Sequence, residues 1–258
     1  MPYRAGFSGR GAGEYDVLSG VSVFLIPSVN IRGQSSMSCC TVAGTSKYFS
    51  RSAGYYARKF RRRGLDAPQR ILVKALRSLG LHAKTVLEIG CGVGGLHLTL
   101  LREGAASAFG VEVSDGMIEK AQELASEMGF TSRVAYRVGD FAETNGSVPR
   151  SDIVVMDKVL CCYADPGALT RKSAAKCGEV FAVSYPRNAI LPRLWFTFTA
   201  QIGKILRWSF HPLYHEPADL DAAILAEGFR EVYSGTTVVW QVKVFAWREQ
   251  SQARKQNL

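Results

Sequence analysis

The sequence is organised around one stretch, KTVLEIGCGVGGLHL, which occupies Lys84–Leu98. Its Thr85–Ile89 segment is a short, apolar, β-branched run typical of a buried strand, and the apolar periodicity after the glycines is typical of a helix. Between them, Gly90, Gly92 and Gly94 let the backbone adopt positive φ angles and let a ligand approach closely. The N–H groups that open the helix would face that ligand. The stretch therefore predicts a strand, a ligand-binding loop and a helix.

The glycine pattern alone does not name the ligand. Gly90, Gly92 and Gly95 also satisfy the dinucleotide fingerprint G-x-G-x-x-G, so a nicotinamide oxidoreductase is one candidate class. The next predicted strand, Ser107–Val113, contains Glu112 about twenty residues after the first glycine, where a carboxylate can accept both ribose hydroxyls. Ser114 is then predicted to cap a helix that runs to about Glu127.

A third predicted strand, Arg133–Val138, leads into Gly139-Asp140-Phe141. An acid followed by an aromatic residue suits adenine, because the adenine amino group can donate to the carboxylate while its face stacks on the ring. A fourth predicted strand, Asp152–Met156, is followed by Asp157 and Lys158. Acidic residues thus recur at the carboxyl ends of successive strands, where an α/β sheet binds its ligand.

Three motifs, Val86–Gly94, Gly110–Ser114 and Gly139–Phe141, resemble in order the first three motifs of the class I S-adenosylmethionine-dependent methyltransferases. The resemblance covers residues 72–248. It implies S-adenosylmethionine as cofactor and a Rossmann-like, doubly wound, mostly parallel sheet with an antiparallel C-terminal strand. It also implies that the cofactor is bound by Glu88, Gly90, Gly92, Gly94, Glu112, Asp140, Phe141 and Asp157.

The resemblance assigns these residues to parts of the cofactor. Glu88 and the three glycines would hold the methionine end, Glu112 the ribose, and Asp140 with Phe141 the adenine. Glu88 could instead brace the glycine loop through backbone N–H groups. Within the superfamily, three further segments are similar to bacterial proteins related to magnesium protoporphyrin O-methyltransferase: Asp157–Tyr163, Ser184–Arg187 and Val239–Val242.

The regular alternation of strands and helices predicts a single α/β domain at residues 47–249, and the resemblance implies that it is a methyltransferase domain. Residues 1–46, rich in Gly, Ser and Arg, are predicted to be a disordered leader, and residues 250–258 a frayed tail. Whether residues before Met37 belong to the functional protein stays open, as does the role of Cys39 and Cys40. The six cysteines form no disulfide framework or zinc-type array, which favours reduced thiols and a cytoplasmic location.

Two helices are predicted at residues 47–80, before the first strand. Lys47–Arg63 interleaves aromatic and basic residues and ends at Gly64, and Ala67–Leu79 has Pro68 in its first turn. The resemblance implies that such helices close over the cofactor. The chain has 32 basic against 22 acidic residues, and its basic run Arg58–Arg63 is either a solvated face or a patch for carboxylates, phosphates or an anionic membrane surface.

The pattern changes after the fifth predicted strand, Val180–Tyr185. Residues 188–217 are predicted to be an insertion containing a helix within Asn188–Phe210, because the segment is too long for a plain connection. It leaves the sheet where the strand opens onto the expected site. We expect a lid whose inner face carries Leu191, Leu194, Trp195, Phe198, Ile202, Ile205 and Leu206, although a core helix would show the same spacing.

Methyl transfer from a sulfonium needs little acid–base help, so catalytic residues are harder to predict than cofactor residues. Tyr163, Tyr185 and His215 are the candidates to orient or deprotonate an oxygen nucleophile. A metal-assisted mechanism would require carboxylates after both the fourth and fifth strands. Because only Asp157 is present, we predict no metal.

The leading hypothesis is a methyltransferase that acts on an oxygen of a small, apolar or carboxylate-bearing molecule, with no obligate protein partner. An RNA methyltransferase is favoured by the net charge but opposed by the apolar insertion and by the absence of an Asn/Asp-Pro-Pro-aromatic motif after the fourth strand. A cofactor-binding module without catalysis is the third hypothesis. The nicotinamide oxidoreductase ranks last, because Asp140-Phe141 opposes it. A predicted C-terminal hairpin also opposes it, with strands Phe229–Ser234 and Thr237–Trp247 joined by a turn at Gly235.

Overall fold

The computed structural model describes residues 42–144, 147–206 and 210–248. The predicted tail and nearly all of the predicted leader, including Cys39 and Cys40, lie outside these residues. The helices are α1 (Val42–Arg63), α2 (Ala67–Ser78), α3 (Gly95–Arg102), α4 (Asp115–Glu127), α5 (Phe141–Thr144), α6 (Pro166–Ala174), α7 (Ile190–Ile205) and α8 (Pro217–Ala226). The strands are β1 (Thr85–Ile89), β2 (Ser107–Glu112), β3 (Val134–Val138), β4 (Ser151–Asp157), β5 (Cys177–Pro186), β6 (Phe229–Thr236) and β7 (Trp240–Trp247).

The strands form one sheet in the order β3-β2-β1-β4-β5-β7-β6. Neighbours are parallel except where β7 is involved, since β7 runs antiparallel to both β5 and β6. The strand order reverses between β1 and β4, and the carboxyl ends of these strands therefore border a crevice. The predicted Rossmann-like, doubly wound sheet with an antiparallel C-terminal strand is confirmed.

Two apolar cores lie on opposite faces of the sheet. One contains buried side chains of α2, α3 and α4, such as Leu72, Leu96 and Leu124. The other contains side chains of α6 and α8, such as Leu169 and Ile224. Helices therefore cover both faces, and the ligand crevice lies at the carboxyl edge of the parallel strands.

Helices α2 and α4 begin at capping residues. Ser114 accepts a hydrogen bond from the Met117 N–H at the start of α4, as the sequence predicts. Asp66 and Gln69 form a reciprocal capping box before α2. Helix α1 begins at Val42 rather than at Lys47, so its first turn includes residues assigned to the leader.

The final hairpin differs from the sequence prediction, which placed its turn at Gly235. In the structure Gly235 lies within β6 and pairs with Val242, and the turn follows at Thr237. Thr237 closes this turn because its N–H donates to the Trp240 carbonyl and its hydroxyl accepts from the Trp240 N–H, both within 2.9 Å. Gly235 instead allows close packing, since a Cβ there would lie 3.1 Å from Ile71 of α2.

None of the described helices combines the length and the apolar character needed to cross a membrane.

Candidate active site

A pocket of about 660 Å³ opens at the carboxyl edge of the parallel strands. The strand order divides its lining into two parts. Carboxylates lie at the ends of β1, β2 and β3, where Glu88, Glu112 and Asp140 reach the pocket. Lys158 and Trp240 lie beyond them, beside β4 and β7. One part is therefore acidic, and the other presents an aromatic ring and an ammonium group together with the carboxylates of Asp66 and Asp157.

The glycine loop between β1 and α3 lines the acidic part. Gly90, Gly92 and Gly94 have φ angles of 67°, 53° and 78°, in the left-handed region that glycine adopts without strain. A Cβ on Gly90 would lie 2.5 Å from Val159, whereas one on Gly92 would meet nothing within 4 Å. The sequence correctly predicts positive φ angles at these positions. Gly94 caps α3 and is not a lining residue, unlike Gly90 and Gly92.

Glu112 ends β2 and is 7% exposed. Its carboxylate accepts hydrogen bonds from the backbone N–H groups of Gly92, at 2.9 Å, and Ser114, at 3.1 Å. Burial raises the pKa of this carboxyl group, although the N–H donors oppose the rise. A carboxylate offers about four lone-pair positions, so Glu112 can brace the loop and still accept hydroxyl groups from a ligand.

Glu88 lies in β1 and forms a buried pair with a residue that the sequence analysis did not single out. Its Oε2 lies 2.7 Å from Nδ1 of His97 and accepts the His97 backbone N–H at 3.2 Å. Burial raises the pKa of Glu88, and the hydrogen bond from His97 counteracts it. Nε2 of His97 lies 3.0 Å from the hydroxyl of Tyr136. Glu88 thus fixes the first turn of α3. This contact is similar to the alternative considered from the sequence, in which Glu88 braces the glycine loop through backbone N–H groups.

Asp140 follows β3, and Phe141 opens α5. Tyr163 donates its hydroxyl to Oδ1 of Asp140 at 2.5 Å, and all three residues line the pocket. Burial, reinforced by this hydrogen bond, raises the pKa of Tyr163 far above its usual value. Tyr163 therefore stays protonated at neutral pH and positions the Asp140 carboxylate. That Tyr163 also orients or deprotonates an oxygen nucleophile stays a prediction.

The other two predicted catalytic residues lie outside the pocket lining. Tyr185 is buried in the core, where its hydroxyl donates to Asp221, and this contact and burial raise its pKa. Nε2 of His215 is 2.8 Å from the carbonyl oxygen of Tyr163. The period-two alternation of β5 explains the position of Tyr185, since Tyr185 packs into the α8 side of the sheet.

A polar cluster instead occupies the end of β4. Asp157 accepts hydrogen bonds from Gln69 Nε2 at 2.9 Å and from Lys158 Nζ at 3.1 Å. Lys158 Nζ also donates to Asp66 at 2.6 Å and lies 5.6 Å from the Trp240 ring centre. Burial alone would lower the pKa of Lys158, but the two carboxylates outweigh it and raise the pKa, so the side chain is charged.

Lys158 has a φ angle of 62°. Such a conformation is strained for a residue with a side chain, and strain of this kind concentrates at functional sites.

The same cluster gives a second role to the α2 capping box. Gln69 and Asp66 use one side-chain atom each for the cap and the other for Asp157 and Lys158. A capping box is visible in the sequence, but its contact with β4 is not.

Helix α1 covers the pocket, as the resemblance implies. Tyr56, Lys59 and Phe60 line the cavity from this helix. Arg61 holds the helix against α4 through two hydrogen bonds to Glu127, at 2.6 and 2.9 Å. Within the basic run Arg58–Arg63, Arg61 is therefore committed to an ion pair and Lys59 faces the pocket.

Helix α7 borders the pocket with the opposite face from the predicted one. Phe196 is the α7 residue that lines the cavity, and it packs perpendicular to Trp240. The residues predicted to cover the site instead point to solvent, with exposed fractions of 61–74% for Leu191, Leu194, Trp195 and Phe198. The inner face is narrow because it carries Gly203, where a Cβ would lie 2.9 Å from His211.

Among the described residues, no three His, Cys, Asp or Glu side chains cluster as a metal site requires. That the reaction proceeds without a metal stays a prediction. Cys91 and Cys161 are free thiols.

Comparison with known proteins gives a family match. The Methyltransferase domain family model matches residues 82–215, which is 134 of 258 residues. A probable chloroplastic tocopherol O-methyltransferase of Oryza sativa subsp. japonica is 35% identical over 60 residues, which are 23% of this chain and 17% of that protein. The ribosomal protein L11 methyltransferase of Deinococcus radiodurans is 36% identical over 76 residues, covering 30% of this chain and 28% of the relative. The chain thus spans under a third of either relative.

Solved structures share the fold. Magnesium protoporphyrin IX methyltransferase from Synechocystis PCC 6803 with bound SAH has a TM-score of 0.63 at 21% identity, covering 81% of this chain and 100% of that one. An O-methyltransferase family protein from Burkholderia thailandensis has a TM-score of 0.61 at 12% identity, covering 79% and 61%.

The fold is that of the S-adenosylmethionine-dependent methyltransferases. The chain belongs to the methyltransferase domain family.

The residues around the acidic part of the pocket fit S-adenosylmethionine. Gly92 leaves open space where a Cβ would stand, and Glu112 and Asp140 present carboxylates beside it. Glu112 can accept ribose hydroxyls, and Asp140 can accept the adenine amino group. The predicted contact of Phe141 with the adenine ring stays a prediction, since its side chain borders the pocket but is 1% exposed and packs in the apolar core.

Replacing Glu112 with alanine tests this assignment. We expect the affinity for S-adenosylhomocysteine to fall by about 1.5–3 kcal/mol, or roughly 10- to 150-fold, because charge-assisted hydrogen bonds are lost. Isothermal titration calorimetry measures the change. Glu119→Ala is the matched control, because Glu119 is an exposed acid on α4. An affinity equal to that of the parent protein would refute the role of Glu112.

Proposed function

We propose that this chain transfers a methyl group from S-adenosylmethionine to an oxygen atom of a small, apolar molecule that carries a carboxylate. The observation that carries the proposal is the division of the pocket into an acidic part and an aromatic part, which contains Lys59 and the ion pairs of Lys158 with Asp66 and Asp157. When bound, S-adenosylmethionine supplies an electrophilic methyl group attached to a positively charged sulfur. The acidic part suits this cofactor, which leaves the second part for the acceptor.

The chemistry of the second part favours an anionic, apolar acceptor. Its rings come from α1, α7 and the sheet, and include Tyr56, Phe196 and Trp240. Lys59 also lines the pocket, and its ammonium group makes no ion pair with another described residue. A carboxylate could therefore pair with Lys59 while the apolar body of the molecule packs on the rings.

The polar cluster at the end of β4 is suited to positioning and proton control. Lys158 is held by Asp66 and Asp157, so its charge has a fixed position beside the pocket. A fixed ammonium group stabilises negative charge on an oxygen nucleophile. Asp66 is one-third exposed and also lines the pocket, so its carboxylate can accept the proton of a hydroxyl acceptor. Lys59, which makes no ion pair with another described residue, would repel a protonated amine, which favours oxygen over nitrogen as the methylated atom.

Helices α1 and α7 would exclude water from the reacting atoms. Phe60 packs against the glycine loop, where a Cβ on Gly95 would lie 2.7 Å from its ring. Phe196 contributes to the opposite wall beside Trp240. A dry pocket strengthens the electrostatic interactions made by the fixed charges.

An isotope experiment tests the proposed reaction. The protein is incubated with S-adenosylmethionine labelled in its methyl group and with a fractionated cell extract. We expect the label in the small-molecule fraction that extracts into organic solvent at acidic pH. Release of labelled methanol by mild alkali identifies a methyl ester, whereas a resistant product carries its methyl group as an ether or on nitrogen or carbon, and mass spectrometry of that product then identifies the methylated atom. Label confined to RNA, with binding that weakens steeply with salt, would support the RNA hypothesis instead.

Replacing Lys59 tests acceptor recognition. With the acceptor found above, Lys59→Gln should raise KM about tenfold or more, because a charge-assisted contact is lost, with little change in cofactor affinity. Lys74→Gln is the control, since Lys74 is an exposed lysine of α2 that does not line the pocket. Equal KM values for the two variants would contradict the assigned role.

A further inference from the structure

The outer face of α7 is the largest unexplained feature of the described structure. Its large apolar side chains, together with that of the following Leu206, are 59–78% exposed: Ile190, Leu191, Leu194, Trp195, Phe198, Ile205 and Leu206. We call this set the α7 face. Single exposed apolar residues are normal, but a contiguous set of this size marks an interaction surface.

The large apolar side chains of α7 point outwards, whereas those of a core helix point to the protein interior. Its buried positions are Pro192, Phe196 and Gly203, which include only one large side chain. Gly203 lets the helix approach His211 closely, so little space is left for large side chains on the inner side of the helix. The large side chains of the α7 face therefore contribute little to the stability of the fold.

The sequence around α7 carries charge of one sign: between Glu179 and Glu216 there is no Asp or Glu, whereas there are four basic residues, Arg187, Arg193, Lys204 and Arg207. Of these, Arg193 is an exposed residue of α7 itself. The whole chain carries a formal charge of +10. Apolar side chains with Trp and Phe on a helix, beside Lys and Arg, are the features of helices that lie in the interface of an anionic membrane.

The α7 face continues towards the mouth of the pocket. Phe196 lines the pocket on the inner side of the same helix turn that exposes Trp195. Phe210, just beyond the helix, lines the pocket and packs on Tyr48 of α1, with ring centres 5.3 Å apart. Tyr48 is itself 42% exposed. An apolar surface thus extends around the entrance.

We propose that the α7 face binds the surface of an anionic lipid bilayer, with its apolar side chains inserted at the level of the head groups. The position of the helix would place the pocket entrance against the membrane, from which an apolar molecule could enter. Membrane binding does not depend on methyl transfer, so either proposal can fail without the other.

Vesicle co-sedimentation of the full chain tests membrane binding. We expect binding to phosphatidylcholine vesicles that contain about one-third phosphatidylglycerol, and much weaker binding to phosphatidylcholine alone. Raising the salt concentration to about 0.5 M should weaken binding, because it screens the basic residues. Soluble glycerol phosphate should not compete. Equal binding to both vesicle types would overturn the anionic preference, and competition by glycerol phosphate would indicate a simple anion site.

A matched pair of variants tests the role of the α7 face. The triple variant Leu194→Gln, Trp195→Gln, Phe198→Gln should lose vesicle binding about tenfold or more, since three inserted side chains become polar. Its melting temperature should stay close to that of the parent, because these side chains are exposed. The control Leu79→Gln, Val138→Gln changes two exposed apolar residues elsewhere and should bind normally.

The remaining outcomes are also decisive. Vesicle binding that survives in the triple variant would overturn the proposal. Self-association of the parent chain that disappears in the triple variant, without vesicle binding by either, would identify an interface between copies. A large fall in the melting temperature of the triple variant would show that α7 packs in the core and would also overturn the proposal.

Discussion

Replacing His97 with alanine is expected to lower the free energy of unfolding by about 3–5 kcal/mol at neutral pH, because the buried Glu88 carboxylate loses its partner. The two side chains are 0% and 3% exposed and approach to 2.7 Å. Urea denaturation measures the change. Thr99→Val is the control on the same helix, since Thr99 is buried and bonds only within α3 in the described structure. It should cost about 0.5–1.5 kcal/mol.

The effect of His97→Ala should depend on pH. Burial raises the pKa of Glu88 and the hydrogen bond from His97 lowers it, so removal of His97 should raise this pKa further. A carboxyl group with a raised pKa stabilises the fold most below its unfolded pKa of about 4.3 and loses that contribution as pH rises through the folded value. The deficit of the variant relative to the parent should therefore grow from pH 5 to pH 8.

A double-mutant cycle separates the pair from general loss of packing. Glu88→Gln removes the charge that needs a partner, so Glu88→Gln, His97→Ala should be destabilised by clearly less than the sum of the two single variants. Additive losses, or a deficit independent of pH, would contradict a coupled pair.

Replacing Gly90 with alanine should lower the free energy of unfolding by about 2–5 kcal/mol. The left-handed conformation costs a non-glycine residue about 1–2 kcal/mol. The remainder comes from displacing Val159, which would lie 2.5 Å from the new Cβ, since overpacking costs about 1–3 kcal/mol. Chemical denaturation measures the loss.

Gly92→Ala is the matched control. Gly92 also has a positive φ angle, but a Cβ there would meet nothing within 4 Å, so the expected cost is about 1–2 kcal/mol. Replacing Val159 with alanine should rescue part of the Gly90→Ala loss by relieving the clash. Equal losses in the two glycine variants, with no rescue, would show that close approach to Val159 is unimportant.

Local patterns were sufficient for much of the fold. The β-branched run Thr85–Ile89 and the glycines after it predicted β1, its loop and α3, because strand and turn propensities act over a few residues. The cap at Ser114 was predicted for the same reason. The prediction of a turn at Gly235 was wrong. Glycine occurs both in turns and where two elements pack closely, and the sequence does not distinguish these two uses.

The candidate site was predictable only where a motif names its residues. Glu88, Glu112 and Asp140 line the pocket together, as the three ordered motifs predict. Asp66 and Lys158 are 92 positions apart in the chain, and their contact depends on how α2 packs beside β4. No local pattern carries that information.

The sequence by itself determined the order of strands and helices, the family motifs and the glycine loop, since each follows from short-range periodicity or spacing. The tertiary structure alone decided which face of each element meets the pocket. Tyr185 faces the core, and the apolar side chains of the predicted lid face solvent. The physical reason is that periodicity fixes which residues share a face, whereas the direction of that face depends on long-range packing.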